Sequence, residues 1–479
     1  MKTASVLLVY AGSLWSGAWA ARPRVKHELV SIYTWLRTNG VETGVLDLEV
    51  ELGPCGEGDQ GVYLERAEAL VRDRGADIVA LSCWSSLQYS ATLAVAELVR
   101  RGHPETVIAV GGYHPSSRPE DFTFEGAPFN WVIGGEAEDA LLALSWAVAG
   151  GERDTGSCRH TEAAPFPLSE ETAPDYGSYP YTEEGLPSLP VSLSRGCPFH
   201  CNACVVQPGE AGWRSYPPEV ALRLLAELAE LKPREIDVVD TTFGYDNLWR
   251  GVVLEKLAEE YRRAVPVVVT ARPDHVARKD LDHLYQGSLR VRFDVDTLAR
   301  PLIEALGIDA RPSHHVEHAL DVVRYANAKG IPGEVRLVFG QPGETRETAA
   351  ETIGALRELA DSLPNASTAL TGEPWAYFPG GAPGVEIDAA ERRFGAFIAH
   401  PEWWKETLSS RPAATAVRPS GSLADLEPGD DGYWRPAFDE VADRLQSKLT
   451  AEARRYARSH ESVGSGASDV PHGFWHPER

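Results

Sequence analysis

Twice along this chain, short β-branched runs alternate with longer amphipathic stretches, and that alternation limits the fold more than any other feature. From residue 4 to about 150, apolar runs occur at Val6–Tyr10, Val45–Leu48, Ile78–Leu81, Val107–Val110 and Trp131–Ile133. Amphipathic stretches at Val25–Arg37, Leu64–Arg74, Ser90–Arg101 and Glu138–Ala147 separate them. Strands almost free of internal charge, alternating with helices, predict a parallel sheet covered on both faces. Five such units predict a doubly wound, flavodoxin-like (Rossmann-type) α/β domain over residues 1–150.

A second alternation spans residues 191–385. Expected strands lie at Val191–Leu193, Glu235–Val239, Val267–Thr270, Val291–Val295, Val335–Phe339 and Thr368–Tyr377, with a helix at Pro218–Leu231 after the first. Six βα units suggest a partial (β/α)6 barrel with its chemistry at the strand C-termini. Residues 151–190, with Pro165, Pro167, Pro174, Pro180, Pro187 and Pro190, read as a linker or packed strap. Residues 386–479 read as a mostly helical region, with stretches at Glu402–Leu408 and Phe438–His460 and a fraying tail from Ser462 to Arg479.

Composition narrows the partners. The formal net charge of −24 over 479 residues repels phosphate backbones and anionic lipid, so neither nucleic acid nor membrane is expected. No apolar run approaches the roughly 20 residues that cross a bilayer. Lys2, the Val6–Tyr10 run and Ala18-Trp19-Ala20 imitate a secretory signal, but the run is interrupted by Ala11-Gly12-Ser13. It reads as a buried first strand, which gives a cytoplasmic expectation. Six cysteines are too few for a disulfide framework.

Three of them are Cys197, Cys201 and Cys204, in the spacing CxxxCxxC directly after an expected strand. Six cysteines placed at random would produce that spacing with a chance of about one in a thousand. A compact loop can set three thiolates on three irons of a 4Fe-4S cluster. An ordinary cluster uses four thiolates, so three leave one iron open to another ligand. Zinc is the alternative, with His200 inside the loop as a candidate fourth ligand.

At this motif the chain resembles the radical SAM (S-adenosylmethionine) superfamily, in the group that carries an N-terminal cobalamin-binding domain. The resemblance covers residues 1–385 and implies a 4Fe-4S cluster held by Cys197, Cys201 and Cys204, with SAM on the open iron. Phe199 stands where the family often has an aromatic residue. Val238-Val-Asp240-Thr-Thr242-Phe243 resembles its second-strand element, although Thr241 replaces an aspartate. Ala271-Arg272-Pro-Asp274 resembles the end of the third strand. Phe293-Asp294-Val295-Asp296-Thr297 stands where Gly-x-Glu-Ser is usual, and Leu337–Thr345 matches a G-x-P-G-E-T strand end through Gly340 and Gly343. Asp240, Thr242, Arg272, Asp296, Gly340 and Gly343 are thereby implied SAM contacts, and Phe378-Pro379-Gly380 resembles the closing element.

The same resemblance implies cobalamin contacts at Gly111, Gly112, Tyr113 and His114, at Gly134, Gly135 and Glu136, and at Trp84 and Ser85. Ordinary strand-to-helix turns account equally for the glycines. The D-x-H-x-x-G signature that hands cobalt a histidine is absent, and Cys83 or Trp84 is a candidate to face the metal. The implied reaction is methyl transfer from SAM through cobalamin to a carbon centre of a small molecule, with a reductant such as flavodoxin or ferredoxin. Rearrangement, cyclisation or ring contraction, polar methyl transfer, and a non-catalytic iron–sulfur or zinc protein remain the rivals.

Three further features are expected to be structural. His314 and His318 share a helical face, as metal ligands can, but read as solvent-exposed. Arg214 reads as a surface ion pair. Trp403, Trp404 and Trp434 read either as the wall of a substrate pocket or as a packed helical cap.

Overall fold

The computed structural model describes residues 2–14, 25–53, 55, 59–153, 158–202, 204, 212–260, 265–379, 397–406, 417–418, 421–423, 425–427 and 430–448. It divides into two compact units. One holds the described residues up to Pro167, Glu171–Thr182 and a short segment from Trp404. The other holds Leu168–Glu170, Glu183–Trp403 and the described residues beyond 411.

The first unit is a six-stranded, wholly parallel sheet: β1 (Val6–Tyr10), β2 (Thr43–Asp47), β3 (Ile78–Ser82), β4 (Val107–Gly111), β5 (Trp131–Gly134) and β6 (Arg159–Glu162). Its order is β2-β1-β3-β4-β5-β6. The first five strands reproduce the flavodoxin-like 2-1-3-4-5 arrangement. Every residue of β1 and β3 is buried, which explains their uniformly apolar sequences: a strand covered on both faces has no side that tolerates charge. The main helices are α1 (His27–Thr38), α3 (Gln60–Asp73), α4 (Tyr89–Gly102) and α6 (Glu138–Ala149), with single turns α2 (Leu48–Leu52) and α5 (Tyr113–Ser117). In α4, Ala91, Val95, Leu98 and Val99 form the buried stripe.

The stretch read as a linker supplies β6, which pairs with β5 in parallel. Arg159, His160 and Glu162 are side-chain polar and largely exposed, so this edge strand is held by its backbone and carries no hydrophobic signal.

The second unit contains a wholly parallel six-stranded sheet in the order β14-β13-β12-β11-β10-β7. Its strands are β7 (Leu189–Val191), β10 (Ile236–Val238), β11 (Val267–Ala271), β12 (Arg290–Asp296), β13 (Gly333–Phe339) and β14 (Thr368–Pro374). A two-stranded antiparallel pair, β8 (Ser194–Arg195) with β9 (Arg214–Ser215), follows β7. The helices are α7 (Pro218–Glu230), α8 (Asn247–Glu260), α9 (Arg278–Gln286), α10 (Arg300–Ala305), α11 (Pro312–Lys329) and α12 (Arg346–Ser362). The sheet follows the open-barrel expectation: β7 and β14 are its two unjoined edges.

Its strands alternate. Val291, Phe293 and Val295 are buried, whereas Arg292 on the opposite face bonds Asp237 of β10 at 2.7 and 2.9 Å. Glu334 of β13 lies 3.7 Å from the same guanidinium, and Arg336 bonds Asp294. One face of this sheet is therefore an ion-pair ladder.

The expected helix at Phe438–His460 begins earlier, at Arg435, with Pro436 in its first turn; residues 449–460 and the tail lie outside the described residues. Around 402–408 the described residues hold only a single turn, Trp403–Lys405. Trp403, Trp404 and Trp434 are at most 1% exposed. Trp403 donates to the Tyr377 carbonyl at 2.7 Å, and Trp434 stacks on Phe339 at 4.2 Å. They are packing residues with no surface left for a pocket.

Candidate cluster loop and strand-end sites

The cysteine loop is clamped at its root by one carboxylate. Asp240, fully buried beyond β10, accepts the Leu193 and Ser194 backbone N–H groups at 2.6 and 3.0 Å and the Ser194 hydroxyl at 2.6 Å. Burial pushes its carboxyl up to about 6. Asp240 has no exposed surface, and its three bonds position the root of the loop. Gly196 has φ +87°, and a Cβ there would overlap the Gly212 carbonyl, so only glycine fits the neck of the loop.

Further along, the Asn202 N–H donates to the Leu306 carbonyl at 2.8 Å, which fixes the loop to the end of α10. The Cys204 N–H reaches the Cys201 carbonyl at 3.1 Å in a turn. The Thr242 hydroxyl lies 3.3 Å from the Cys197 sulfur, and an Arg272 N–H lies 3.5 Å from that of Cys201. Arg272 stacks on Phe199, 4.1 Å from the ring centroid, and forks onto Asp274 at 3.1 and 2.7 Å.

This donor set fits an iron–sulfur cluster better than zinc. Zn–S bonds of about 2.3 Å in a tetrahedron require sulfurs about 3.8 Å apart. Among the described residues, the only three-residue ligand group with all donor atoms within 4.8 Å is Asp274, Asp309 and His315, so the three cysteine sulfurs are spread more widely. His200 is exposed. In the Asp274 group the Arg272 guanidinium, 2.7 Å from Asp274, already supplies the positive charge. Of the two histidines expected to be exposed, His314 is and His318 is half-buried, while His315 beside them is 2% exposed.

The other strand ends converge on the same side of the sheet. At the end of β12 a register shift between Asp294 and Asp296, with φ +60° at Asp296, turns that carboxyl inward. Its Oδ1 is buried without a hydrogen-bond partner. Burial, then the neighbouring Asp294, pushes it up to about 7. A buried acceptor left unmatched is costly unless a ligand donates to it, and a SAM ammonium or ribose hydroxyl supplies such a donor.

After β13, Gly340 and Gly343 adopt φ +78° and +87°. Glu344 closes this turn by accepting the Gly340 N–H and the Tyr433 hydroxyl, the latter at 2.8 Å. Glu344, Tyr433, Asn202 and His315 were not singled out in the sequence. Only Glu344 had a signal, its place in the G-x-P-G-E-T string.

In the first unit the turns after β3, β4 and β5 sort into open and sealed residues. Trp84, Gly111, Gly112, Tyr113 and Glu136 are half-buried and Gly135 is exposed, at the strand ends where doubly wound sheets take ligands. Ser85, His114 and Gly134 are sealed, contrary to expectation. Ser85 caps the turn that follows, accepting the Leu87 N–H at 3.2 Å. His114 is 0% exposed, with Nδ1 on Ser86 at 2.5 Å and Nε2 on Asp121 at 3.1 Å. Both ring nitrogens are committed to these two bonds. Cys83 is equally buried, and burial holds its thiol up at about 12.

Asp121 also accepts from the Trp404 indole at 2.8 Å and pairs with Lys405 at 2.6 Å. The glycine turns answer partly to the protein itself: at Gly112, φ +118°, a Cβ would sit 2.6 Å from the Cys83 carbonyl. The half-buried strand-end turns fit a large planar ligand.

An open parallel sheet with a three-cysteine loop after its first strand, in one chain with a flavodoxin-like unit, is the architecture of a radical SAM domain beside a B12-type domain. Family comparison agrees. Residues 28–145 match the B12 binding domain and residues 191–356 the radical SAM superfamily, so the chain couples one domain of each kind. Those domains take cobalamin, and a 4Fe-4S cluster with SAM, respectively.

Among curated relatives, an uncharacterised methyltransferase of Pyrococcus horikoshii is 25% identical over 59% of this chain and 64% of its own. The 2-(S-pantetheinyl)-carbapenam-3-carboxylate methyltransferase of Streptantibioticus cattleyicolor is 24% identical over 60% of this chain and 45% of its own. The chain thus spans less than two thirds of each. The radical SAM methyltransferase TsrM of Kitasatospora setae, solved with tryptophan substrate and a SAM analogue, shares the fold at a TM-score of 0.63. Its identity is 20%, over 80% of this chain and 75% of that one. Among the described residues, no helix is long and apolar enough to cross a membrane.

Proposed function

We propose that this chain is a cobalamin-dependent radical SAM C-methyltransferase acting on a carbon centre of a small molecule, supplied with electrons by a flavodoxin- or ferredoxin-like donor. The observation that carries the reading is the three-cysteine loop with its sulfur donors at 3.3 and 3.5 Å, in one chain with a B12-binding domain. Both curated relatives are named methyltransferases.

The groups themselves supply the hard chemistry when bound: electron delivery to a sulfonium carbon–sulfur bond, and carriage of a methyl group. The chain's residues do the rest. Cys197, Cys201 and Cys204 would hold the cluster through three thiolates, while Asp240 keeps the root of their loop in place. Asp296 accepts a hydrogen bond from SAM and orients it, and the positive φ at Gly340 lets backbone approach the adenosine. Trp84, Gly111, Gly112, Tyr113, Gly135 and Glu136 offer the surface against which a corrin can lie.

Anaerobic reconstitution tests this. Iron, sulfide and cobalamin are counted per chain, then turnover with methyl-deuterated SAM is followed by mass spectrometry. The expected products are S-adenosylhomocysteine, 5′-deoxyadenosine and a labelled methylated small molecule. Serine at Cys197, Cys201 or Cys204 should reduce iron and both nucleoside products to background. Deoxyadenosine alone overturns methylation in favour of rearrangement. Bound zinc with neither product overturns the catalytic reading.

A further inference from the structure

Arg272 follows β11 in a buried setting that opposes its charge, but Asp274 and its other acidic neighbours outweigh burial and hold it charged. Its guanidinium forks onto Asp274 at 3.1 and 2.7 Å, stacks on Phe199 at 4.1 Å and reaches the Ile308 carbonyl at 3.4 Å. The remaining direction points at the Cys201 sulfur, 3.5 Å from one N–H. Asp274 is in turn approached by buried His315 at 3.7 Å, which also faces Asp309 at 3.5 Å. Arg272 is 16% and Asp274 11% exposed at the side chain. Every arm of the guanidinium except the one on sulfur is thus spoken for by a rigid partner.

We propose that Arg272, locked by Asp274, acts through the Cys201 thiolate to raise the reduction potential of the cluster. Two effects push the same way. Reduction adds one negative charge to a cluster already ligated by three thiolates, and a fixed positive charge beside one of them stabilises the added electron. An N–H···S hydrogen bond withdraws density from the sulfur, and hydrogen bonds to cluster sulfurs are among the levers that set such potentials. The setting makes this useful: the chain carries a net charge of −24, and Asp296 acts electrostatically on Cys201 while Asp274 and Asp296 act on Arg272. Without a local cation, that field opposes entry of an electron.

The step influenced is the one-electron reduction of the cluster by a low-potential donor. One electron enters and no proton moves, because the guanidinium stays charged throughout. Arg272 is a positioning residue in this account; it needs no contact with SAM. The inference rests on the three-cysteine cluster reading above.

The test is an EPR-monitored redox titration of the anaerobically reconstituted full chain, with dithionite as reductant, for the native protein, Arg272→Gln and Arg272→Lys. Arg272→Gln should keep the native iron and sulfide content. At the native midpoint its ratio of reduced to oxidised cluster should fall about tenfold, equal to about 59 mV for one electron. Arg272→Lys, which keeps charge but loses the fork, should shift less in the same direction. A native-like midpoint in Arg272→Gln at full iron content overturns the proposal, as that is the behaviour of an arginine that merely packs. If Arg272→Gln fails to hold iron, Arg272→Lys decides, and an unshifted midpoint there overturns it equally. A native chain that binds no cluster at all would instead refute the cluster reading, which separates the two failures.

Discussion

The two sheets of this protein are both six-stranded and parallel, yet their strands are written in different alphabets. In the first unit β1 and β3 are buried at every position and carry no charge. In the second, β12 reads Arg-Val-Arg-Phe-Asp-Val-Asp, and one face of the sheet is tied by Arg292, Asp237, Glu334, Arg336 and Asp294. Strands covered by helices on both faces, as β1 and β3 are, are apolar at every position, and any ligand is confined to the strand ends. The second sheet keeps charge on one face because those charges are paired.

The comparison can be broken first where it is most expensive. Arg292→Met leaves Asp237 and Glu334 buried without their cation, and should destabilise the second unit by about 3–5 kcal/mol. Hydrogen exchange over β10, β12 and β13 measures it; native-like protection would mean the ladder contributes nothing.

The first unit has one comparable polar knot, at Asp121. Burial raises that carboxyl, but the bonds from His114 and Lys405 outweigh it and hold it at about 2. Asp121→Ala should cost about 3 kcal/mol, because it strands His114, Trp404 and Lys405. Since the folded value lies below the ordinary value of about 4, the stabilisation is complete above that pH and fades as pH falls towards 2. Exchange in peptides spanning 113–122 should therefore accelerate in acid for the native chain, and far less for Asp121→Asn.

Asp296 tests the ligand side. Its carboxyl lies at about 7 in the free chain, and a donor on SAM favours the ionised form. SAM affinity should therefore fall as pH drops below 7, by about tenfold per unit if binding requires the carboxylate. Asp296→Asn should bind SAM weakly and without that slope, as equilibrium dialysis of the reconstituted protein would reveal. The smallest effect belongs to an apolar strand of the first sheet: Ile108→Val in β4 should cost about 1 kcal/mol, read by the same exchange measurement.

Much of this was legible before folding. The two βα alternations located eleven of the twelve strands of the two main sheets from their apolar pattern alone, and the cysteine spacing named the cluster loop. Asp240 and Thr242 were legible as a motif but not as parts: one clamps the loop root, the other addresses a sulfur, and the motif cannot distinguish these from contact with SAM. β6 was invisible because Arg159–Glu162 pairs through backbone and leaves polar side chains in water. Likewise His114 reads as an exposed turn histidine until Ser86 and Asp121, distant by 28 and 7 residues, close over both nitrogens.

What the order of residues determined by itself was periodicity and local spacing: which segments bury two faces, which bury one, and where three thiols share a loop. Those follow from short-range geometry, in which side chains two or three or four positions apart meet the same face. Which polar groups are satisfied and which are left open was decided only by the tertiary structure. A hydrogen bond such as Trp404 to Asp121 joins residues 283 positions apart, and no local pattern encodes which donor will arrive. The functional difference between sealed His114 and unmatched Asp296 is a matter of long-range closure.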